Sequence, residues 1–220
     1  MDTDVFRAWI TSAAAVIEAN RDHLTQLDAA IGDADHGANL ARGFAAVAVA
    51  IGGATTPGGL LTTAGATLIS KVGGASGPLY GMAFRRAGKS LGTLADVDLP
   101  ALDAALEAAL AGVQQLGAAR EGDKTMVDAL APATRAFGKA IADGASRADA
   151  LSALAAAAAA GAAATIDMQA RKGRASYLGP RSVGHEDPGA ASTALILTAL
   201  RDTVLGTAVA GGTGPGDAAG

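Results

Sequence analysis

The chain contains no cysteine and few aromatic residues, and both shortages limit what it can be. Without cysteine among its 220 residues, it forms no disulfide and no thiolate metal site, so a bound metal must be held by oxygen or imidazole ligands. Only four Phe, two Tyr and one Trp are present. A core built from Ala, Leu, Val and Ile favours closely packed helices over a β-sandwich, because strands prefer aromatic and β-branched side chains.

The sequence also lacks a strong charge of either sign, a targeting signal and a long hydrophobic run. The formal net charge of −4 provides no electrostatic attraction for nucleic acid or for an anionic membrane. The first residues, "MDTDVFRAWI", are acidic and amphipathic, which is unlike a signal peptide. The longest apolar run, "ALAAAAAAGAAAT", is mostly alanine, too short and too weakly hydrophobic to span a bilayer. We therefore expect a soluble, cytoplasmic protein that binds neither nucleic acid nor membrane.

Apolar residues recur at helical spacing through most of the chain, with Gly, Pro or Asp between the helical stretches. No segment alternates with period two between hairpin turns, so we predict an all-α protein without a sheet. The tail "AGGTGPGDAAG" has too little apolar surface to fold, so we predict one domain over residues 1–207 and a disordered tail over residues 208–220. The eight predicted helices lie near residues 3–26, 37–52, 57–71, 78–91, 99–118, 125–143, 147–172 and 188–206.

The segment "LDAAIGDADHGAN", residues 27–39, contains three aspartates, Asp28, Asp33 and Asp35. Because the first helix runs out near Leu27, the aspartates fall in a loop between helices and can converge on one point. Three carboxylates with open positions suit Mg²⁺, which keeps several waters and is usually completed by substrate phosphates. The alternative is a solvated turn in which Asp35 caps the next helix.

A glycine-rich segment, "KVGGASGPLYG" (residues 71–81), leads into a predicted helix. Free N–H groups at such a terminus attract anions, although most helix starts are ordinary caps. Together with the aspartates, this segment describes a site for a metal–nucleotide phosphate group. A second phosphate-like motif, "AFRRAGKS" (residues 83–90), is a decoy, because Ala83 replaces the first glycine of a P-loop and no strand precedes it.

Two later segments are candidates for the rest of a nucleotide site. "GDKTMVDAL" (residues 122–130) opens a helix, and Met126 either joins the core or forms a soft apolar wall for a base. "RKGRASYLGPRSVGHEDPGAAS" (residues 171–192) is a long, non-helical, basic segment. Loops of that length in compact domains are often functional lids, and an arginine there can neutralise phosphate charge. The alternative is a solvated basic loop.

Without the decoy, four motifs remain: the aspartate segment, the glycine-rich segment, the segment at residues 122–130 and the basic segment at residues 171–192. In this order and at these separations, they resemble the nucleotide-binding L subunit of dihydroxyacetone kinases. The resemblance covers essentially the whole chain except its last dozen residues. It implies an antiparallel barrel of eight amphipathic helices with a nucleotide, ADP or ATP, bound at one end. It also implies that three aspartates hold two Mg²⁺ ions, which carry the nucleotide phosphates. The matching metal ligands are Asp28, Asp33 and Asp35.

The same resemblance assigns residues to the phosphates, the base and the lid. Met126 and the loop from Gly122 to Thr125 would flank the base, and Asp187 would lie near the nucleoside. Arg174 would face the phosphates from the lid and serve as the catalytic residue. The residues that would surround the phosphates are His36, Asn39, Ser76 and Gly77.

One residue departs from the family pattern, which usually reads G-D-G-D-H-G. This chain has Ala34 in place of the middle glycine. Glycine permits a positive φ. If the loop requires that geometry, Ala34 strains it by ~1 kcal/mol, which would weaken the metal site without removing a ligand.

The resemblance also implies partners. A separate K subunit would hold the ketose substrate, so we expect this chain to be inactive alone; we also expect a homodimer. The phosphate source is either free ATP or a phosphotransferase-system phosphocarrier that recharges retained ADP, and the ketose has three or four carbons. Two other functions stay open: the nucleotide domain of a fatty-acid kinase, which typically has threonine where this chain has His36, and a non-catalytic helical regulator.

Overall fold

The computed structural model describes residues 1–207, and this part of the chain is helical without strands. The tail predicted to be disordered, residues 208–220, lies outside the described residues. Three short 3₁₀ segments lie at Ile51–Gly53, Thr165–Asp167 and Arg174–Ser182. Within residues 1–207 the α-helices are α1 (Thr3–Ala19), α2 (Arg21–Ile31), α3 (His36–Ala50), α4 (Pro57–Lys71), α5 (Ser76–Leu91), α6 (Leu99–Gly117), α7 (Val127–Ala142), α8 (Arg147–Ala164) and α9 (Pro188–Leu205).

Eight of these helices close into a ring. From α3 to α9 each helix packs against the next in the chain, α9 packs against α1, and α1 packs against α3. Most sequential neighbours are joined by short connections, which make them antiparallel, whereas α8 and α9 are joined by the longer segment of residues 165–187. The predicted all-α antiparallel barrel is therefore confirmed. The ninth helix, α2, lies at one end of the ring, where it contacts α3 and α9.

The exact number of helical stretches differs from the eight predicted, because the described residues contain nine α-helices and the first predicted stretch is broken in two. Asn20 ends α1 with a φ of −102° and a ψ of 10°, and its side-chain Nδ2 donates to the carbonyl of Val16 at 2.8 Å. An asparagine that hydrogen-bonds the preceding turn competes with helix continuation. The apolar periodicity runs through this break, so the pattern alone gives one helix instead of α1 and α2.

Helix α8 also differs from expectation. It ends at Ala164, eight residues before the predicted end at 172, and a single 3₁₀ turn follows. The segment Arg147–Asp167, with a mean hydropathy of 1.5, is long and apolar enough to cross a membrane by length and composition, contrary to our expectation. In the fold this helix packs against α7 and α9. Contact with α7 is so close that a Cβ added to Gly161 would lie 2.1 Å from the carbonyl oxygen of Asp128.

Four of the few aromatic residues meet in the main hydrophobic core. Phe6 and Trp9 of α1 contact each other at 5.8 Å between ring centroids, and Trp9 contacts Phe84 of α5 at 6.0 Å. Phe44 of α3 contacts Phe84 at 6.1 Å. The Trp9 Nε1 donates to the carbonyl of Ile196 in α9 at 3.0 Å. These side chains therefore join four helices of the ring, while alanine elsewhere lets the helices approach closely.

A second, separate apolar cluster joins residues 165–187, which we call the closing segment, to the end of α2. Ile31 of α2 packs there against Ala170 and Ala175, with Leu178 half-buried beside them. The cluster is distinct from the main core. It holds the closing segment over the end of the barrel at which the α2–α3 loop lies.

Candidate functional site

A cleft lies at this end of the barrel, where five parts of the chain meet: the α2–α3 loop with the end of α2, the start of α5, the loop before α7, the closing segment and the start of α9. The residues that line it are Asp28, Ile31, Gly32, Asp33, Asp35, His36, Gly74, Ala75, Ser76, Leu79, Tyr80, Lys124, Thr125, Met126, Lys172, Gly173, Arg174, Ala175, Asp187, Pro188 and Gly189.

The three aspartates converge in the cleft. Each offers a carboxylate oxygen, and these three oxygens lie within 4.8 Å of one another. Asp28 is 8% exposed, and its Oδ2 accepts from the backbone N–H groups of Asp35 at 2.8 Å and His36 at 3.1 Å. Asp28 therefore satisfies the start of α3, whereas the carboxylate of Asp35 makes no capping hydrogen bond. The alternative in which Asp35 serves as the side-chain cap of α3 is wrong.

This donor set fits a hard cation such as Mg²⁺. Carboxylates at this spacing repel one another unless a positive charge lies between them. The free carboxylate of Asp35 and the second oxygen of Asp28 leave acceptor positions toward the cleft. Arg174 provides one positive charge, since its guanidinium lies 2.9 Å from Oδ2 of Asp33.

Two small residues allow the aspartate loop to fold this tightly. A Cβ added to Gly32 would lie 1.9 Å from Oδ1 of Asp28, so any larger residue there displaces that carboxylate. Ala34 has a φ of 60°, in the left-handed region that costs an L-residue energy. The geometry that the sequence raised as a source of strain is therefore present at Ala34.

His36 belongs to a buried hydrogen-bond network behind the aspartates. Its Nε2 lies 2.9 Å from Oγ of Ser192, and the hydroxyl of Tyr80 lies 2.7 Å from the same oxygen. The Ser192 hydroxyl also lies 2.8 Å from the carbonyl of Pro188 and 3.2 Å from that of Gly189, both of which can only accept. Burial lowers the pKa of His36, against the opposing charges of Asp28 and Asp35. Burial therefore favours the neutral imidazole.

The start of α5 forms the opposite wall. The helix begins at Ser76, two residues earlier than predicted, and its N-cap residue Ala75 provides no side-chain hydrogen bond. No side chain caps the start of α5, and Ser76 lines the cleft, an arrangement found in anion sites at helix N-termini. A Cβ added to Gly74, just before the helix, would lie 4.0 Å from Oδ2 of Asp35. The loop before α5 and the aspartate loop are neighbours.

The loop before α7 is fixed by a buried carboxylate. Asp128 accepts from the backbone N–H groups of Gly122 at 2.5 Å and Thr125 at 2.8 Å. Between them Lys124 has a φ of 60° and is 1% exposed. Burial lowers the pKa of Lys124, against the opposing charges of Asp187 and Asp128. This loop places Met126, which is 5% exposed, at the wall of the cleft.

Asp187 lies at the start of α9. Its Oδ2 accepts from the N–H of Ala190 at 2.7 Å, which caps the helix, and its own N–H donates to Oγ1 of Thr165 at 2.9 Å. Burial raises the pKa of Asp187 to about 7, even though the Ala190 hydrogen bond and the charge of Lys124 act in the opposite direction. A carboxyl group with that pKa exchanges its proton near neutral pH.

Most of the predicted site residues meet in one cleft. Three of them, Asn39, Gly77 and Gly122, are adjacent to the cleft but do not line it. Gly77 packs under the loop, where an added Cβ would lie 2.3 Å from the carbonyl of Val72, and Asn39 accepts from Arg42 at 2.7 Å. Lys124, inside the loop expected to flank the base, and Tyr80 had no individual role predicted from the sequence, since no local spacing signal marks either one. The decoy motif at residues 83–90 is inside α5, as predicted.

Comparisons with known proteins agree with this architecture. A family model described as the DAK2 domain matches residues 30–202. The chain is 41% identical over 194 residues to the PEP-dependent dihydroxyacetone kinase, ADP-binding subunit DhaL, of Escherichia coli (strain K12), which covers 87% of this chain and 92% of that protein. It is 40% identical over 206 residues to the ADP-binding subunit DhaL of PEP-dependent dihydroxyacetone kinase 1 of Listeria innocua, which covers 92% of this chain and 97% of that protein.

A solved structure shares the fold. It is the dihydroxyacetone kinase from C. freundii in complex with AMP-PNP and Mg²⁺, with a TM-score of 0.68 and 29% sequence identity. The match covers 92% of this chain and 34% of that longer one. The resemblance drawn from the four motifs is therefore confirmed, and the chain belongs to the DAK2 domain family.

Proposed function

We propose that this chain is the nucleotide-binding subunit of a kinase for dihydroxyacetone or a related short ketose. It would bind ADP or ATP with Mg²⁺ and deliver the phosphoryl group to a ketose held on a separate K-type subunit. One observation carries the proposal: three carboxylates with oxygens within 4.8 Å of one another share a cleft with the uncapped start of α5. The names of the two bacterial relatives support it.

Asp28, Asp33 and Asp35 would hold two Mg²⁺ ions. When bound, such ions neutralise the negative charge of the nucleotide's terminal phosphates. Asp28 keeps one oxygen on the amides of α3 and so fixes the loop, while Asp33 and Asp35 lie nearer to solvent. This division gives one rigid ligand and two that adjust to the bound nucleotide.

The phosphates would lie between these aspartates and α5. The amides at Ser76 and Gly77, together with the helix dipole, favour a negative group there without a charged side chain. His36, whose Nε2 is engaged with Ser192, would present the other side of its ring to the phosphates. Asn39 would act from just outside the cleft. Arg174 would contribute the charge that stabilises the phosphoryl group during transfer, as arginine does in other phosphoryl-transfer enzymes.

The base would lie toward the loop before α7. Met126 provides an apolar surface there, and the loop from Gly122 to Thr125 is held in shape by Asp128. Asp187, next to Met126 across Gly189, would lie near the nucleoside. The cleft thus has an anionic cation-binding end and an apolar end, the order in which a magnesium nucleotide presents its parts.

Two further parts of the proposal concern partners. The relatives are ADP-binding subunits of PEP-dependent kinases, which favours retained ADP recharged by a phosphocarrier over exchange of free ATP. We also propose that this chain forms a homodimer and is located in the cytoplasm. The relatives give no support to the fatty-acid kinase or to the non-catalytic regulator.

Asp33→Asn tests the metal site. The variant removes a charged ligand but keeps the size of the side chain, so the helical circular dichroism should be unchanged while Mg²⁺-dependent ADP binding, measured by calorimetry, is lost. The matched control is Asp143→Asn, which changes an exposed aspartate paired with Lys139 outside the cleft, and it should bind like the wild type. Wild-type ADP affinity in Asp33→Asn would refute the assignment.

A further inference from the structure

Lys124 is an unusual lysine, because it is 1% exposed and has a φ of 60°. A buried ammonium group is costly unless hydrogen-bond acceptors surround it. Here the Nζ donates to two backbone carbonyls, those of Thr165 and His185. The negative side chains of Asp187, Asp128, Asp167 and Glu186 add electrostatic attraction.

The two carbonyls mark the two ends of the closing segment. Thr165 is its first residue, directly after α8, and His185 lies just before α9. Other hydrogen bonds join the same ends: Gly184 N–H donates to the Ile166 carbonyl at 2.7 Å, and Asp187 N–H donates to the Thr165 hydroxyl at 2.9 Å. The closing segment is therefore a loop whose two ends lie close together, similar to an Ω-loop. We call these paired ends, residues 165–166 and 184–187, the neck, and the side chain of Lys124 lies across it.

The loop that carries Lys124 is itself held in place by hydrogen bonds. Lys124 belongs to the loop before α7, whose amides at Gly122 and Thr125 are held by Asp128. The carbonyl of Asp123, next to Lys124, accepts from the N–H of Arg171 in the closing segment at 3.0 Å. One wall of the cleft is therefore attached through Lys124 to the part of the chain that carries Arg174 and Asp187.

We propose that Lys124 is a positioning residue for phosphoryl transfer. By holding both ends of the closing segment against the loop before α7, it sets the positions of Arg174 and Asp187 over the cleft. Without its ammonium group the His185 carbonyl loses its donor and the Thr165 carbonyl keeps only the N–H of Met168. The segment then opens more often, and bound nucleotide leaves faster. The inference rests on the proposed function for its catalytic consequence, whereas the opening of the segment does not depend on that function.

Limited trypsin digestion measures the opening directly, because the closing segment contains four cleavage sites: Arg171, Lys172, Arg174 and Arg181. Cleavage of a transiently open segment follows the population of the open form. Without nucleotide, Lys124→Met should be cut in this segment about tenfold faster than the wild type or more, since it loses two buried hydrogen bonds to a charged group. The matched control, Lys139→Met, changes an exposed lysine and should be cut in this segment at the wild-type rate.

The conservative variants separate a positioning role from a general loss of structure. Lys124→Arg keeps donors for both carbonyls and should be protected like the wild type, and Lys124→Gln, with one shorter donor group, should be intermediate. If Lys124→Met does not fold, Lys124→Gln carries the test. With the partner subunit present, Lys124→Gln should release ADP faster and lower kcat more than it raises the KM for ketose.

Wild-type cleavage rates in Lys124→Gln and in a folded Lys124→Met would overturn the inference. The trypsin result needs neither nucleotide nor partner, so it is independent of the proposed function. If cleavage is faster but wild-type protein binds no nucleotide, the neck is confirmed and the proposed function fails.

Discussion

Replacing Ala34 by glycine should stabilise the protein, although it removes a methyl group from a helical, alanine-rich chain. Ala34 has a φ of 60°, and an L-residue in this region costs about 1–2 kcal/mol that glycine does not. Glycine in turn gives the unfolded chain more freedom, which costs about 0.4–1 kcal/mol. The balance favours Ala34→Gly by about 1 kcal/mol in the free energy of unfolding, or about 2–4 °C in Tm for a domain of this size.

Thermal and urea unfolding followed by circular dichroism measure this change, and the chain offers two matched controls. Ala118 ends α6 in the left-handed region, with a φ of 47°, so Ala118→Gly should gain a similar amount outside the aspartate loop. Ala104 is exposed within α6, and Ala104→Gly should lose about 1 kcal/mol.

The three variants together show whether the backbone at position 34 is strained. A loss of stability in Ala34→Gly of the same size as in Ala104→Gly would mean that position 34 carries no strain. A gain in Ala118→Gly with no gain in Ala34→Gly would point to a contact made by the Ala34 methyl group that offsets the backbone cost.

Two further predictions concern the cleft. Arg174→Ala should lower kcat by on the order of a thousandfold, because it removes a positive charge that faces the transferring group. It should change the nucleotide Kd by about fivefold or less, since the ion pair of Arg174 with Asp33 is largely exposed. Equal losses in single-turnover rate and in Kd would contradict this role. The pKa of Asp187 is raised to about 7, so its contribution to stability is fully present below the unfolded pKa near 3.8 and is lost as the pH rises through 7. Asp187→Asn, which keeps the helix cap, should therefore show a smaller fall in Tm between pH 5 and pH 8 than the wild type, and an identical fall would contradict the raised pKa.

The helices were largely predictable, because their signals are local. Proline and glycine breaks lie where α4 and α9 begin, and alanine-rich stretches between the breaks form helices as their propensity suggests. The errors have both local and non-local causes, and the break at Asn20 is local because its side chain binds the carbonyl of Val16. At the end of α8 no sequence punctuation is present, and the carbonyl of Thr165, just after the helix, accepts from Lys124 in a different part of the chain.

The candidate site was also predictable only where its residues are close together in the sequence. Asp28, Asp33 and Asp35 lie within eight positions of one another, so their convergence could be predicted from one loop. Lys124 could not be recognised, because its partners lie 41 and 61 residues away. For Tyr80 the partner is Ser192, 112 residues away. Such pairs exist only after the ring has closed.

The small apolar cluster of Ile31, Ala170, Ala175 and Leu178 has a consequence for how the protein unfolds. Since it shares no residue with the main core, residues 165–187 form a candidate cooperative unit of their own, with an unfolding free energy below that of the whole domain. Amide hydrogens there should exchange through a sub-global opening that leaves α1 and α9 protected. Nucleotide can then enter and leave when only this segment unfolds. The rate of nucleotide exchange can therefore change during evolution while the stability of the whole domain stays constant.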